Sequence, residues 1–422
     1  MNPRALVSLA LRSLWHRRTS ALLTVLTLGL SVGLVLSVHR LGRDARSSFA
    51  STVSGTDLLV GARSGPVNLL LYAVFHVGDA TNNVSWKSYQ DVASSPEVAW
   101  TVPISLGDSH RGFRVVGTTA GFFDHLRFGD HEAMRLASGH AFTDVYDAVL
   151  GARVARALGY KVGTSLVLTH GTGVMATQQH ADKPFVVTGI LAPTGTPFDD
   201  SVFVGLDGIE AIHVDWQSGM RLPGQSVSAE EARHADLTPK TITAFFVGLN
   251  SRLSAFSFQR AINEYPDEAL LAVLPGVALQ QLWSIVGVAE QAIRAIGYLV
   301  VAIGLCGLVT TLLSMLNERR REMAVLRAVG ASPATVFALM VAEALLVGMA
   351  SCVLGLVLLY GAIALAGPWL AQAAGLRLAL APPDAAEWAL LGLVLASAFV
   401  AGCVPALVAY RRTLADGLQA RL

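Results

Sequence analysis

Histidine is the residue type with the widest chemical reach in this chain. Nine of the eleven, His76, His110, His125, His131, His140, His170, His180, His213 and His234, fall in one long polar stretch. A metal centre needs several ligands converging with defined geometry, and no His-x₃-His spacing is present. His170 and His180 flank a predicted hairpin that can bring them together. The broader pattern reads as scattered surface histidines, and no metal is expected. Cys306, Cys352 and Cys403 all lie in apolar stretches, so neither a disulfide framework nor a thiolate site is expected. Neither a nucleophile elbow nor a His-Glu-x-x-His motif occurs. A phosphate-binding loop needs a lysine directly after glycine, and none of Lys87, Lys161, Lys183 and Lys240 has one before it. The chain therefore reads as non-catalytic and without a cofactor of its own.

The densest charge lies in Asn317-Glu318-Arg319-Arg320-Arg321-Glu322-Met323-Ala324-Val325-Leu326-Arg327-Ala328-Val329-Gly330-Ala331-Ser332-Pro333. The pattern predicts a charged helix ended by Gly330. A new helix follows, capped by Ser332 with Pro333 at its first position. A rigid helix between two membrane spans is a shape that can receive force from a soluble motor; a plain positive-inside loop would have the same composition. Glu343 lies about two turns into the following apolar stretch. Intramembrane acids are functional suspects, although at that depth a side chain can also reach back toward the headgroups.

The elements that position these residues are membrane helices. Of the 422 residues 53 % are hydrophobic and 14 % charged, with a mean hydropathy of +0.52. A soluble domain carries about 25 % charged residues, so a soluble enzyme and a disordered protein both fit poorly. Four stretches, about Thr19–Val38, Ala292–Leu316, Val336–Ala366 and Glu387–Val408, meet the roughly 20 apolar residues needed to cross a bilayer. The first is too long for a signal-peptide core and is followed by Ser37-Val38-His39-Arg40, which offers no cleavage site. Arginines cluster before the first span (Arg4, Arg12, Arg17, Arg18), between the second and third (Arg319, Arg320, Arg321, Arg327) and after the fourth (Arg411, Arg412, Arg421). Both termini are therefore expected in the cytoplasm. Between Arg43 and Glu290, 17 basic residues face 24 acidic ones, consistent with an extracytoplasmic segment. Val7, Leu11, Leu14 and Trp15 predict a helix lying on the inner membrane surface.

Gly29 and Gly33 form a GxxxG on the first span, and Ser351/Gly355 and Gly392/Ala396 give small-xxx-small pairs on the third and fourth. These serve either helix packing within one subunit or a dimer seam. In the polar segment, strands are predicted at 111–117, 148–151, 165–169, 185–190 and 241–249, and helices at 122–124, 152–158 (stopped by Gly159) and 254–264. Val67–Val77 is an apolar run too short to span a membrane, and core burial is preferred over an exposed partner surface. From Gly276 to Leu316 no proline interrupts the pattern, so one helix of about 60 Å is expected, forming a stalk.

Glu318 to Glu322 leading to Leu326–Ser332, then Glu343-Ala344-Leu345-Leu346, resembles the signature of FtsX-like/MacB-type ABC permeases. Leu9–Leu14, Phe113–Gly117, Val149–Ala152, Val186–Leu191 and Pro405–Leu418 are similar to other parts of that family. Gly61–Gln90 departs from its pattern. The resemblance implies an α-helical four-span transmembrane domain with a large extracytoplasmic α+β domain between spans 1 and 2. Residues 1–40 are assigned to the interfacial helix and first span, 41–282 to the outer domain, and 283–422 to the stalk and remaining spans, with a coupling helix at 317–334. It further implies a permease subunit, dimeric with itself or a second permease, in a bacterial cytoplasmic membrane. Such a subunit is driven by a separate ABC ATPase that holds ATP and Mg, and it performs conformational work outside, on efflux partners, an adaptor or a lipoprotein. Nucleic acid is not an expected partner. Residues Glu318, Arg319, Arg320, Arg321, Glu322, Met323, Leu326, Arg327, Gly330, Ala331 and Ser332 are assigned to ATPase coupling. The competing reading is a membrane-anchored sensor or scaffold without a motor; an enzyme with its site in the outer domain is the third.

Overall fold

The structure is a computed structural model that describes residues 3–52, 54–129, 131–171, 178–217, 220–221, 227–318, 331–374, 378 and 380–418. The chain divides into two compact units. One comprises Met1–Asp44, Gly287–Trp369 and Leu378–Leu422, and the other comprises Ala45–Val286 with Leu370–Arg377.

The first unit is helical. A helix at Pro3–His16 precedes the first span helix, Arg18–Ser51; the others are Pro275–Glu318, Pro333–Ala374 and Ala385–Leu418. All four long helices contain a stretch apolar enough to cross a bilayer. Pro275–Glu318 is unbroken over 44 residues, about 66 Å of helix, as the proline-free pattern predicts. In lipid, helices associate through close packing at small residues, because neighbouring tails are as apolar as leucine. Gly33 lies against Gly355, where a methyl group added to Gly33 would meet the Gly355 carbonyl at 3.4 Å. Gly29 approaches Leu354 and Gly355 approaches Val32, while Ser351 is fully buried with its hydroxyl donating to the Val347 carbonyl. The glycines flagged on spans one and three thus meet within one chain. The Gly392/Ala396 pair does not: both residues are exposed, and nothing lies within 4 Å of a methyl group added to Gly392. The third and fourth long helices instead cross where Gly402 meets Ala344 and Gly348 meets Ala398. Small residues recur all along these helices, and spacing alone does not say which face turns inward.

The second unit is built on a mixed sheet. Its principal strands are β1 (Leu58–Ala62), β2 (Val98–His110), β3 (Phe113–Thr118), β4 (Leu136–Gly139), β5 (Asp147–Leu150), β6 (Phe185–Leu191), β7 (Ser201–Gly205), β8 (Ala244–Leu249) and β9 (Leu270–Val273). They lie in the order β9-β1-β8-β2-β3-β7-β5-β6-β4. The pairs β7–β3 and β6–β5 are parallel, and the others along this path are antiparallel. The β5 strand runs into helix Ala152–Leu158, which ends at Gly159 in the left-handed conformation (φ 68°), the stop read from sequence. The strand expected at 165–169 is two short pieces, Ser165–Leu166 and Thr169–His170. These are side branches, the first pairing with β6 and the second with β2.

The apolar run at 67–77 forms helix Pro66–Ala73 and the turn after it. Leu69, Leu70 and Val74 are fully buried in a cluster with Phe122, Phe198, Phe203 and Phe246. The run is core, in agreement with the preferred reading. Leu70→Ala should therefore cost about 2–5 kcal/mol, the usual range for a leucine deleted from a packed interior. Urea unfolding of the solubilised chain, followed by tryptophan fluorescence, measures it; a midpoint equal to wild type would return this run to the surface.

Candidate functional site

The assigned coupling residues fall largely outside the described residues. Glu318 closes its helix, residues 319–330 are not described, and the description resumes at Ala331. Ser332 caps the next helix. Its hydroxyl accepts from the Thr335 amide at 3.3 Å and its carbonyl accepts from the same amide at 2.9 Å, with Pro333 at the first helical position. Ala331 is half-buried and Ser332 exposed. Glu343 is fully enclosed in the helical unit, so its carboxylate faces the bundle interior, where intramembrane acids concentrate.

A second polar constellation, not singled out from sequence, sits where the first span ends and the last helix begins. Arg40 is 1 % and Glu387 0 % exposed, with Nε and Oε1 3.3 Å apart. They attract as an ion pair, and the contact lacks hydrogen-bond alignment. Arg40 Nη2 donates to the Ala381 carbonyl at 2.5 Å, and that carbonyl also accepts from the Tyr360 hydroxyl at 2.8 Å. Glu387 has a further task. Its Oε2 accepts from the Asp384 amide at 3.1 Å while Asp384 Oδ1 accepts from the Glu387 amide at 2.7 Å, a reciprocal cap on helix Ala385–Leu418. Arg43 pairs with Asp384 from the first span helix, and His39 Nε2 lies 3.7 Å from the same carboxylate. The first and last spans are tied at one end by charge, and Tyr360 of the third long helix joins them through the shared Ala381 carbonyl. The Asp384-Ala385-Ala386-Glu387 spacing is itself a capping signature and was the available clue.

The histidines of the second unit are not uniformly scattered. His170, His180 and His213 come together beside Asp108, and His110 is buried, with Nδ1 bonded to the Val167 carbonyl and Nε2 to the Tyr160 hydroxyl. The expectation of surface histidines fails there because the sheet brings distant segments into register, pairing His170 opposite Asp108. Among the described residues no other group of three or more candidate ligands is gathered.

Truncating one partner of a buried ion pair leaves an uncompensated charge and costs about 3–5 kcal/mol, whereas a partly exposed pair is worth about 1 kcal/mol or less. Arg40→Ala should accordingly lower the thermal midpoint of the solubilised protein far more than Arg43→Ala. Equal, small shifts for the two variants would show that the Arg40–Glu387 pair is not structural.

Comparison with known proteins places these features in a family. The model for the MacB-like periplasmic core domain matches residues 21–265, more than half the chain, and that for the FtsX-like permease C-terminal region matches residues 294–414. Among solved structures, the periplasmic region of MacB from Actinobacillus actinomycetemcomitans is similar at 10 % identity and a TM-score of 0.33, covering 55 % of this chain and 94 % of that one. The extracellular domain of the noncanonic ABC-type transporter YknZ from Gram-positive bacteria is similar at 12 % identity and a TM-score of 0.30, covering 52 % and 99 %. No curated protein matches. With four candidate spans and the two family models matching residues 21–265 and 294–414, this chain is a multi-pass membrane protein that belongs to the FtsX-like, MacB-type ABC permease family.

Proposed function

We propose that this chain is the transmembrane subunit of an ABC-type complex and converts ATP hydrolysis on a separate cytoplasmic ATPase into conformational work across the membrane. In this reading both termini lie in the cytoplasm of a bacterial inner membrane, where the three arginine clusters satisfy the positive-inside rule. Two permease subunits, identical or not, flank the ATPases. The work is done on an efflux partner, an adaptor or a lipoprotein. ATP and Mg belong to the ATPase, since residues 1–422 contain no glycine-lysine pair for a phosphate loop.

The observation that carries this reading is the uninterrupted 44-residue helix leading directly into Glu318 and the arginines after it. A helix without a break moves as one body, so a push on the charged stretch is delivered along its whole length. Glu318, Arg321, Glu322 and Arg327 offer charged contacts to an ATPase surface, and Met323 and Leu326 offer apolar ones. The capped start at Ser332 and the enclosed Glu343 belong to the span that follows that stretch.

Copurification of the full chain with a small Walker-A ATPase tests the assignment. Loss of any such partner would favour the motor-free scaffold. In a reconstituted complex, Glu322→Arg combined with Leu326→Asp should abolish stimulated ATP turnover while membrane insertion persists; unchanged turnover removes the coupling role from this stretch.

Ala289 is exposed within the long helix. Proline there removes a backbone hydrogen bond and clashes with the preceding turn, at about 3 kcal/mol or more, whereas serine leaves the ladder whole. Ala289→Pro is expected to uncouple hydrolysis from activity in cells while basal turnover survives, and Ala289→Ser to behave as wild type. Full activity from the proline variant would rule out the helix as the transmitting element.

A further inference from the structure

We propose that Asp108, His170, His180 and His213 bind a divalent transition-metal ion of the zinc type, which staples the ribbon around His170–His180 to the end of helix Leu206–His213. The four candidate ligand atoms all lie within 4.8 Å of one another. Three are close to the spacing that an ion imposes. His170 Nδ1 is 3.2 Å from Asp108 Oδ1 and 3.1 Å from His213 Nε2, and that Nε2 is 3.8 Å from Asp108 Oδ1. Around a tetrahedral ion with bonds of about 2.0–2.1 Å, neighbouring ligand atoms stand about 3.3 Å apart.

The hydrogen-bond inventory points the same way. His213 Nδ1 lies 2.8 Å from the Ile209 carbonyl one turn back in its helix. That bond places the proton on Nδ1 and leaves Nε2 with a free lone pair aimed at the cluster, the arrangement typical of a ligating histidine. One nitrogen of His170 then faces two acceptors at once, which a single proton serves only by being shared, whereas a cation between them is bound by all three. His180 is 1 % exposed, and among the described residues neither of its ring nitrogens has a hydrogen-bond partner. A buried imidazole with both nitrogens unanswered is rare in a folded protein and marks a missing ligand.

The frame is rigid. His170 sits opposite Asp108 in a strand pair with β2, and the His180 amide donates to the Leu168 carbonyl at 2.9 Å. Lys183 and Asp215, 1 % and 0 % exposed, pair at 2.7 Å and join the same two segments that supply His180 and His213. The Trp216 ring packs on His180 with centroids 4.5 Å apart and closes that side, while the part-exposed edges of His170 and His213 give the ion a way in. Four protein ligands leave no open position, so the site is structural rather than catalytic.

The test uses the tag-free full chain in lipid nanodiscs, stripped with chelator and dialysed against zinc, with bound metal counted by mass spectrometry. Wild type should hold one zinc per chain and unfold at a higher temperature with zinc than without. His170→Gln and His213→Gln, at part-exposed positions, should fold normally yet weaken zinc by more than the roughly 10–100-fold lost when an outer-shell partner is removed. His234→Gln, at an exposed histidine elsewhere, should bind as wild type does. Cobalt in place of zinc should give wild type, and neither ligand variant, the intense visible bands of a four-coordinate ion. Absence of stoichiometric zinc in wild type, or zinc retained equally by the two ligand variants, overturns the site.

Discussion

Inside a bilayer, apolar side chains gain nothing by leaving lipid for one another, so a helical unit must be held by contacts that lipid cannot imitate. This chain uses two kinds. Backbones approach closely at Gly33/Gly355 and Ala344/Gly402, where a methyl group added to Gly355 or Gly402 would have to displace a neighbour. Charge does the rest at Arg40 and Glu387, both stripped of water and held 3.3 Å apart. Because Glu387 also caps its own helix, the start of the last span and its attachment to the first are decided by one side chain.

The inter-span unit obeys the opposite rule. Its sheet is covered by apolar clusters whose stability comes from leaving water, and its aromatic centre joins Phe122 to Phe198 and Phe203 from a second, distant segment. The sheet also brings Asp108 and three histidines together. One chain therefore contains two folding problems with different solvents.

Much of this was legible in the sequence. The spans, the unbroken long helix, the Ser332 cap and the Gly159 stop all follow from local signals that act within one or two turns. Strands β3 and β6 were visible through their β-branched runs. Strands β1 and β7 were not; both are short apolar runs buried at every position, as are β5 and β8, which were read, so burial alone does not account for the difference. Strand β2 contains Pro103 and Gly107, which argue against a strand, and the sheet accommodates an irregularity between Leu106 and Ser109. The Arg40–Glu387 pair and the addition of Asp108 and His213 to the His170/His180 hairpin were hidden for a different reason. Each joins residues on separate elements, and no spacing rule links positions that only the tertiary fold brings together.

The position of β1 sets a timetable for synthesis. Leu59 pairs with Phe246 on one side and Val273 on the other, so the first strand after the first span waits for the last two strands before the second. At about 5–20 residues per second, the intervening ~190 residues take roughly 10–40 s to emerge. For that interval an apolar strand stands with both edges unpaired beside the membrane, an open template for any other extended chain. The topology thus leaves the completion of this sheet to the last stretch of the segment to be made.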